Sequence, residues 1–363
     1  MKKAALIVGL AAAAAAMAAA TTAQAQTQVQ IYGIVDAAVV GEHGGNASPS
    51  TKITSGAASA SRIGFRGTED LGGGLSAFFT LETGVKIDTG ELDATNTIFN
   101  RQAFVGLRGK AGEVALGRQY TPWHLTMSAF DPFGTGYAGT SKNLFPDNGS
   151  NVRTSNTITY KSPKVNGFDG ELAYSAGEQT TFSAGRQFGG AFGYASGPLA
   201  LRVAYNSKNT DVVGTATTPA VNHALGRNTL LTAAWELQWA RLRFAYGIDK
   251  GFNAAPLGNP NNPYGGVKPT ASTDGRDILL GLSAPVGPGT LMFSVMHKDD
   301  RTSFNQDASS WGIGYLYGLS KRTGLYAAYG HINNQNGAGY TVANNTESGT
   351  GNTGYNLGLR HTF

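Results

Sequence analysis

Arg241-Leu242-Arg243-Phe244-Ala245-Tyr246-Gly247-Ile248-Asp249 is the stretch on which the fold turns. Leu242, Phe244, Tyr246 and Ile248 fall on one parity, and Arg241, Arg243, Ala245 and Asp249 on the other. A period of two places the first set on one face of a β-strand and the second on the opposite face. Leu199, Leu201, Val203 and Tyr205 oppose Arg202 and Asn206 in the same way. Near the start, Val29, Ile31, Gly33, Val35, Ala37 and Val39 form a wholly apolar parity against the mixed set Gln30, Tyr32, Ile34, Asp36 and Ala38.

Carried outward, the pattern predicts sixteen strands. They lie near 28–40, 61–70, 75–83, 101–109, 112–119, 154–163, 167–176, 183–195, 199–208, 229–238, 240–250, 276–285, 289–298, 308–317, 323–332 and 354–363. Connections alternate between short (70–74, 109–112, 163–167, 196–198, 238–239, 285–289, 318–322) and long (41–60, 84–100, 119–153, 176–183, 209–228, 251–275, 299–308, 333–353). An even number of antiparallel strands with short turns at one end and long loops at the other is the pattern of a transmembrane β-barrel. Ten-residue strands rise roughly 33 Å and, tilted near 40°, span the ~25 Å apolar band. Tyr205, Trp235, Trp239, Tyr315, Tyr317, Tyr329 and Tyr355 stand at strand ends, where interfacial girdles belong. A soluble sandwich would alternate too, but gives no reason for that placement. The bilayer offers no water to a free sheet edge, so the first and last strands must pair.

Composition agrees. Lys2 and Lys3, the apolar Ala4–Ala20 and Ala23-Gln24-Ala25 read as a signal peptide over residues 1–25, leaving 26–363 as one barrel. Removing Lys2 and Lys3 from 28 leaves 26 Lys+Arg against 23 Asp+Glu, too slight and dispersed a bias for nucleic acid. The 51 Gly in 363 residues are about twice ordinary usage. There is no Cys, and beyond the leader no apolar run approaches the ~20 residues of a membrane helix.

Several segments resemble the general, non-specific porins of the Gram-negative outer membrane, of the beta-proteobacterial type. They are Ile31-Tyr32-Gly33, Ser61-Arg62-Ile63-Gly64-Phe65-Arg66-Gly67-Thr68-Glu69-Asp70-Leu71-Gly72, Arg101-Gln102-Ala103-Phe104-Val105-Gly106-Leu107, Gly117-Arg118-Gln119, Asn156–Pro163, Leu319–Thr323 and the terminal Phe363. The resemblance implies an all-β, sixteen-stranded antiparallel barrel and a homotrimer among outer-membrane lipid and lipopolysaccharide. It also implies a third loop folded inward, here Gln119–Arg153, which has no sustained apolar periodicity. Small hydrophilic solutes and ions would diffuse through. No cofactor is expected.

Carried over residue by residue, Arg62, Arg101 and Arg153 match the arginines such porins project from the wall, and Asp131 in Phe130-Asp131-Pro132-Phe133-Gly134 is the candidate facing carboxylate. The Pro-Glu-Phe-Gly-Gly order of enteric relatives is not kept, and Ile34 stands where they place an inward lysine. Three guanidiniums, charged at any relevant pH, against one acid predict a mild preference for anions. The alternative is a substrate-specific channel, in which Tyr120, Trp123, Phe130, Phe133 and Tyr137 would form an aromatic slide; otherwise they anchor the loop. The six His (His43, His124, His223, His297, His331, His361) form no constellation with Ser and Asp, so catalysis is not expected. No His/Cys/Asp cluster has metal-ligand spacing.

Overall fold

The computed structural model describes residues 28–45, 48–179, 183–252 and 272–363; the leader lies outside them. Sixteen strands form the wall: Gln28–His43, Arg62–Gly72, Leu75–Lys86, Gln102–Gly109, Gly112–Tyr120, Arg153–Lys161, Phe168–Ser175, Gln187–Ser196, Leu199–Lys208, Gly226–Glu236, Arg241–Lys250, Asp274–Val286, Gly289–Asp300, Ala308–Gly318, Thr323–Asn334 and Thr353–Thr362. All pair antiparallel with their neighbours, and Gln28–His43 pairs with Thr353–Thr362 from Ile34↔Thr362 to His43↔Thr353, closing the barrel. The expected parity holds. Val29 and Ile31 are 60% and 58% exposed on the outer face, whereas Asp36 and Ala38 on the other parity are buried. Trp235, Trp239 and Tyr317 are exposed at strand ends.

Two expected loops contain more structure than their composition suggested. The first strand runs to His43 and pairs with a short extra strand, Ser50–Ser55, in the segment read as loop 41–60. Between that strand and Arg62 the chain makes an inward bulge, 56–61, fastened by Asp36. Gly56 N–H donates to the Asp36 carbonyl (2.8 Å), Ser59 N–H to its carboxylate (3.0 Å), and Ser61 Oγ to its carbonyl (3.1 Å). A second extra strand, Glu91–Leu92, lies in 84–100.

The third long loop, residues 121–152, is also partly helical. Helix α1, Pro122–Phe130, has Thr121 as N-cap, whose hydroxyl accepts from His124 N–H at 3.1 Å, and Pro at the first helical position. That pairing is a recognisable helix start, and it was present in the sequence. Apolar side chains at Trp123, Met127 and Phe130 seat the helix on the wall; Trp123 and Met127 are wholly buried. A single turn, α2 (Gly149–Val152), returns the chain to Arg153.

Wall glycines let the loop lie in backbone contact with the barrel. A Cβ at Gly312 would come 2.4 Å from Gly139 Cα, one at Gly330 2.2 Å from the Ala138 carbonyl, and one at Gly281 2.1 Å from Pro132. The last long loop, 335–352, also folds inward, burying Ala338, Tyr340, Val342 and Ala343. Asn143 joins the two loops, its side-chain oxygen accepting from Ala343 N–H at 2.8 Å.

Candidate functional site

Within the barrel a cavity of about 1200 Å³ is bounded by the wall on one side and by the third and last loops on the other. Arg62, Arg101 and Arg153 all line it, and each stands where a strand meets a long loop, so that the backbone holds it at the edge of the opening. Arg118 and Arg360 line it too, and Ile34 occupies the position noted in the sequence.

Two groups hold the arginines in place. Glu82, nearly sealed from solvent, accepts from Arg101 Nε at 2.8 Å and from Tyr32 O–H at 3.0 Å, with Arg62 Nη1 at 3.8 Å. The Tyr120 hydroxyl accepts from both Arg101 Nη2 (2.7 Å) and Arg153 Nη2 (2.8 Å). The Arg153 guanidinium also sits 4.4 Å over the Tyr120 ring, a cation–π contact. Arg62 Nε donates to the Ala60 carbonyl of the inward bulge at 2.9 Å. Like charges are thus pinned side by side through one carboxylate and one phenol. Neither Glu82 nor Tyr120 was among the residues singled out for the constriction. Glu82 was visible on the polar parity of its strand, but its register against Gln102, which brings it to Arg101, crosses the long connection 84–100.

Asp131 is placed otherwise than expected. Its carboxylate is enclosed by its own loop and does not line the cavity. Phe133 N–H donates to it at 2.9 Å, Thr135 N–H at 3.0 Å and Ser141 N–H at 2.9 Å. Burial raises its pKa, and those three donors work against the rise. It fastens a strained turn: Thr135 and Tyr137 have φ of 63° and 60°, left-handed values that non-glycine residues seldom adopt. Tyr137 N–H is held by the Ala57 carbonyl of the bulge at 2.8 Å.

The loop acid that does reach the cavity is Asp147. It pairs with His124 Nδ1 at 2.6 Å, and His124 stacks on Tyr120 with ring centroids 4.9 Å apart. Burial opposes its charge, but His124, Lys142 and Arg153 outweigh burial and hold its pKa below the ordinary carboxylate value. Of the five aromatic residues considered for a slide, Tyr120 lines the cavity, while Trp123, Phe130, Phe133 and Tyr137 are buried in the loop's seat. Seven basic residues line the space against four acidic ones, Asp88, Asp93, Asp147 and Glu347.

Comparison with known proteins bears directly on a lumen so built. A family model for Gram-negative porins matches residues 11–337. Outer membrane porin protein 32 of Delftia acidovorans is 32% identical over 355 residues, covering 93% of this chain and 94% of that one. An outer membrane porin protein of Bordetella pertussis is 28% identical, with the same coverage of each chain. Among solved structures, the anion-selective porin from Comamonas acidovorans superposes with a TM-score of 0.72 at 28% identity, over 93% of this chain and all of that one. The chain belongs to the Gram-negative porin family, and it is a channel-forming, sixteen-stranded barrel of the outer membrane.

Proposed function

We propose that this porin is a general diffusion channel for small hydrophilic solutes and ions with a mild preference for anions, set by Arg62, Arg101 and Arg153. The observation that carries the reading is the placement of these three guanidiniums together on the cavity wall while Asp131 is turned into its own loop. A ring of fixed charge biases ion flow without tight binding, since a conducting site must release what it admits. Glu82 offsets part of the field of Arg62 and Arg101. Arg153 forms no salt bridge among the described residues, so its field is offset less directly than theirs. Asp131 contributes by holding the loop that narrows the passage. The 28% identical Comamonas protein is described as anion-selective, which agrees.

The working form is a homotrimer among outer-membrane lipid and lipopolysaccharide, and solutes pass without chemical change. Reversal potential of the purified protein in planar bilayers under a KCl gradient tests the selectivity: an anion-favouring value is expected, and a cation-favouring one would overturn it. Slow electrophoretic migration of unboiled protein, collapsing on heating, is the expected mark of the trimer.

A further inference from the structure

We infer that Lys142 is a selectivity-determining cation carried by the third loop, and that Asn345 of the last loop is the residue that positions it. The inference rests on the anion-favouring reading of the constriction and extends it to the loop side. Lys142 lies in the single turn Ser141–Asn143, whose start is fixed by Thr140 Oγ1 accepting from Lys142 N–H at 3.2 Å. Lys142 lines the cavity, and its ammonium donates to the Asn345 carbonyl at 2.7 Å. That partner is neutral, so it orients the charge without cancelling it.

Asn345 is a junction of three loops. Its N–H donates to the Ala57 carbonyl at 3.1 Å, and its side-chain oxygen accepts from Ala60 N–H at 2.9 Å. Its side-chain amide donates to the Thr135 carbonyl at 3.0 Å. Through these bonds the inward bulge and the strained turn of the third loop fix the Asn345 carbonyl, and with it Lys142. The charged and titratable groups facing Lys142 are Asp147, Arg153, Tyr120 and Arg101. Asp147 attracts it but is engaged by His124, while Arg153 and Arg101 repel it. A small anion crossing this space therefore meets positive charge from the wall and from the loop. A transverse field between wall cations and a facing loop acid would instead sort the two signs to opposite sides.

The test is the anion-to-cation permeability ratio in planar bilayers for Lys142→Gln, Lys142→Arg, Asn345→Ala and the double variant Lys142→Gln/Asn345→Ala, with Arg153→Gln as reference. Removal of the Lys142 charge should lower the ratio about threefold, as for any single charge on the cavity wall. Lys142→Arg should keep the wild-type ratio. Asn345→Ala should lower it toward that of Lys142→Gln, and the double variant should fall no further, since the two residues act as one unit.

An unchanged ratio in Lys142→Gln while Arg153→Gln shifts overturns the inference and leaves the wall reading standing. No shift in either, or a cation-preferring wild type, overturns the wall reading itself. An equal fall in Lys142→Arg would make the role purely structural, and additivity in the double variant would sink the part given to Asn345. Should Lys142→Gln form no channels, alkaline titration of wild type against Lys142→Arg serves in its place. Burial lowers the Lys142 pKa. Wild type should thus lose anion preference below the ordinary lysine value of about 10.4, ahead of Lys142→Arg. Tyr120 ionises in both and cancels from the comparison, and identical profiles would overturn the inference.

Discussion

Arg153→Gln gives the cleanest reading of what one wall charge does. Arg153 donates to Tyr120 and lies over its ring, and it forms no salt bridge among the described residues, so its removal breaks no direct ion pair. A cavity of about 1200 Å³ has the volume of a sphere about 6.6 Å in radius, so a wall charge and an ion at its centre interact by about 0.6 kcal/mol in water. Screening at 0.1 M salt, with a Debye length of about 10 Å, halves this to about 0.3 kcal/mol. Anions lose that attraction and cations lose an equal repulsion, so their ratio changes by about 0.6 kcal/mol, or about threefold. Reversal potential under a KCl gradient measures the ratio directly. Repeating it at lower salt should widen the gap between wild type and variant, because the screening length grows. A ratio unchanged in Arg153→Gln at both salt concentrations, with conductance intact, would refute the claim that this arginine's field reaches the permeating ion.

Three further outcomes follow from the same geometry. Glu82→Gln should move the ratio the opposite way, raising anion preference about threefold by the same wall-charge argument. It should also lower the unfolding temperature of the barrel in detergent, since breaking a buried ion pair costs about 3–5 kcal/mol; a fall in anion preference would contradict the pairing with Arg62 and Arg101. Asp131→Asn should leave the ratio near wild type but make the third loop easier to cleave by protease, since buried backbone donors left unmatched cost about 1–3 kcal/mol each. A threefold shift in ratio would restore Asp131 to the constriction. Gly330→Val should lift the loop from the wall, because its Cβ would sit 2.2 Å from the Ala138 carbonyl. Single-channel conductance should then rise, and an unchanged value would show the loop held elsewhere.

The barrel was legible because the bilayer imposes one rule on every strand. Leu242, Phe244, Tyr246 and Ile248 must share a face, and closure requires Gln28–His43 to meet Thr353–Thr362. Segment 41–60 was less so. Gly56-Ala57-Ala58-Ser59-Ala60-Ser61 has the composition of an exposed loop, yet Asp36, twenty residues earlier and itself inside a strand, gathers it inward. The excess of glycine was equally visible as a number and silent as to place. What Gly281, Gly312 and Gly330 share is a loop lying against them, and nothing local to each residue reveals that.

The cavity shows the same division. Arg62, Arg101 and Arg153 were picked out by resemblance, and each stands at a strand–loop boundary, which periodicity locates within a few residues. Their counter-charges could not, because strands joined by long loops have no register fixed by a turn, and Glu82 reaches Arg101 only through register. Asp131 is the instructive case, since its surroundings held two opposed signals. An acid in a long loop facing arginines suggests a pore charge, whereas Asp-Pro-Phe-Gly is also the sequence of a turn in which the carboxylate binds the backbone two residues on. The second signal is local and needs no partner from elsewhere, and Phe133 N–H fulfils it at 2.9 Å. Once Thr135 and Ser141 add their N–H groups, the carboxylate has no free face for the lumen. The loop therefore meets the lumen through Lys142, His124 and Asp147 instead, and the acid that seemed the counterpart of the arginines is the fastening that keeps those groups in range.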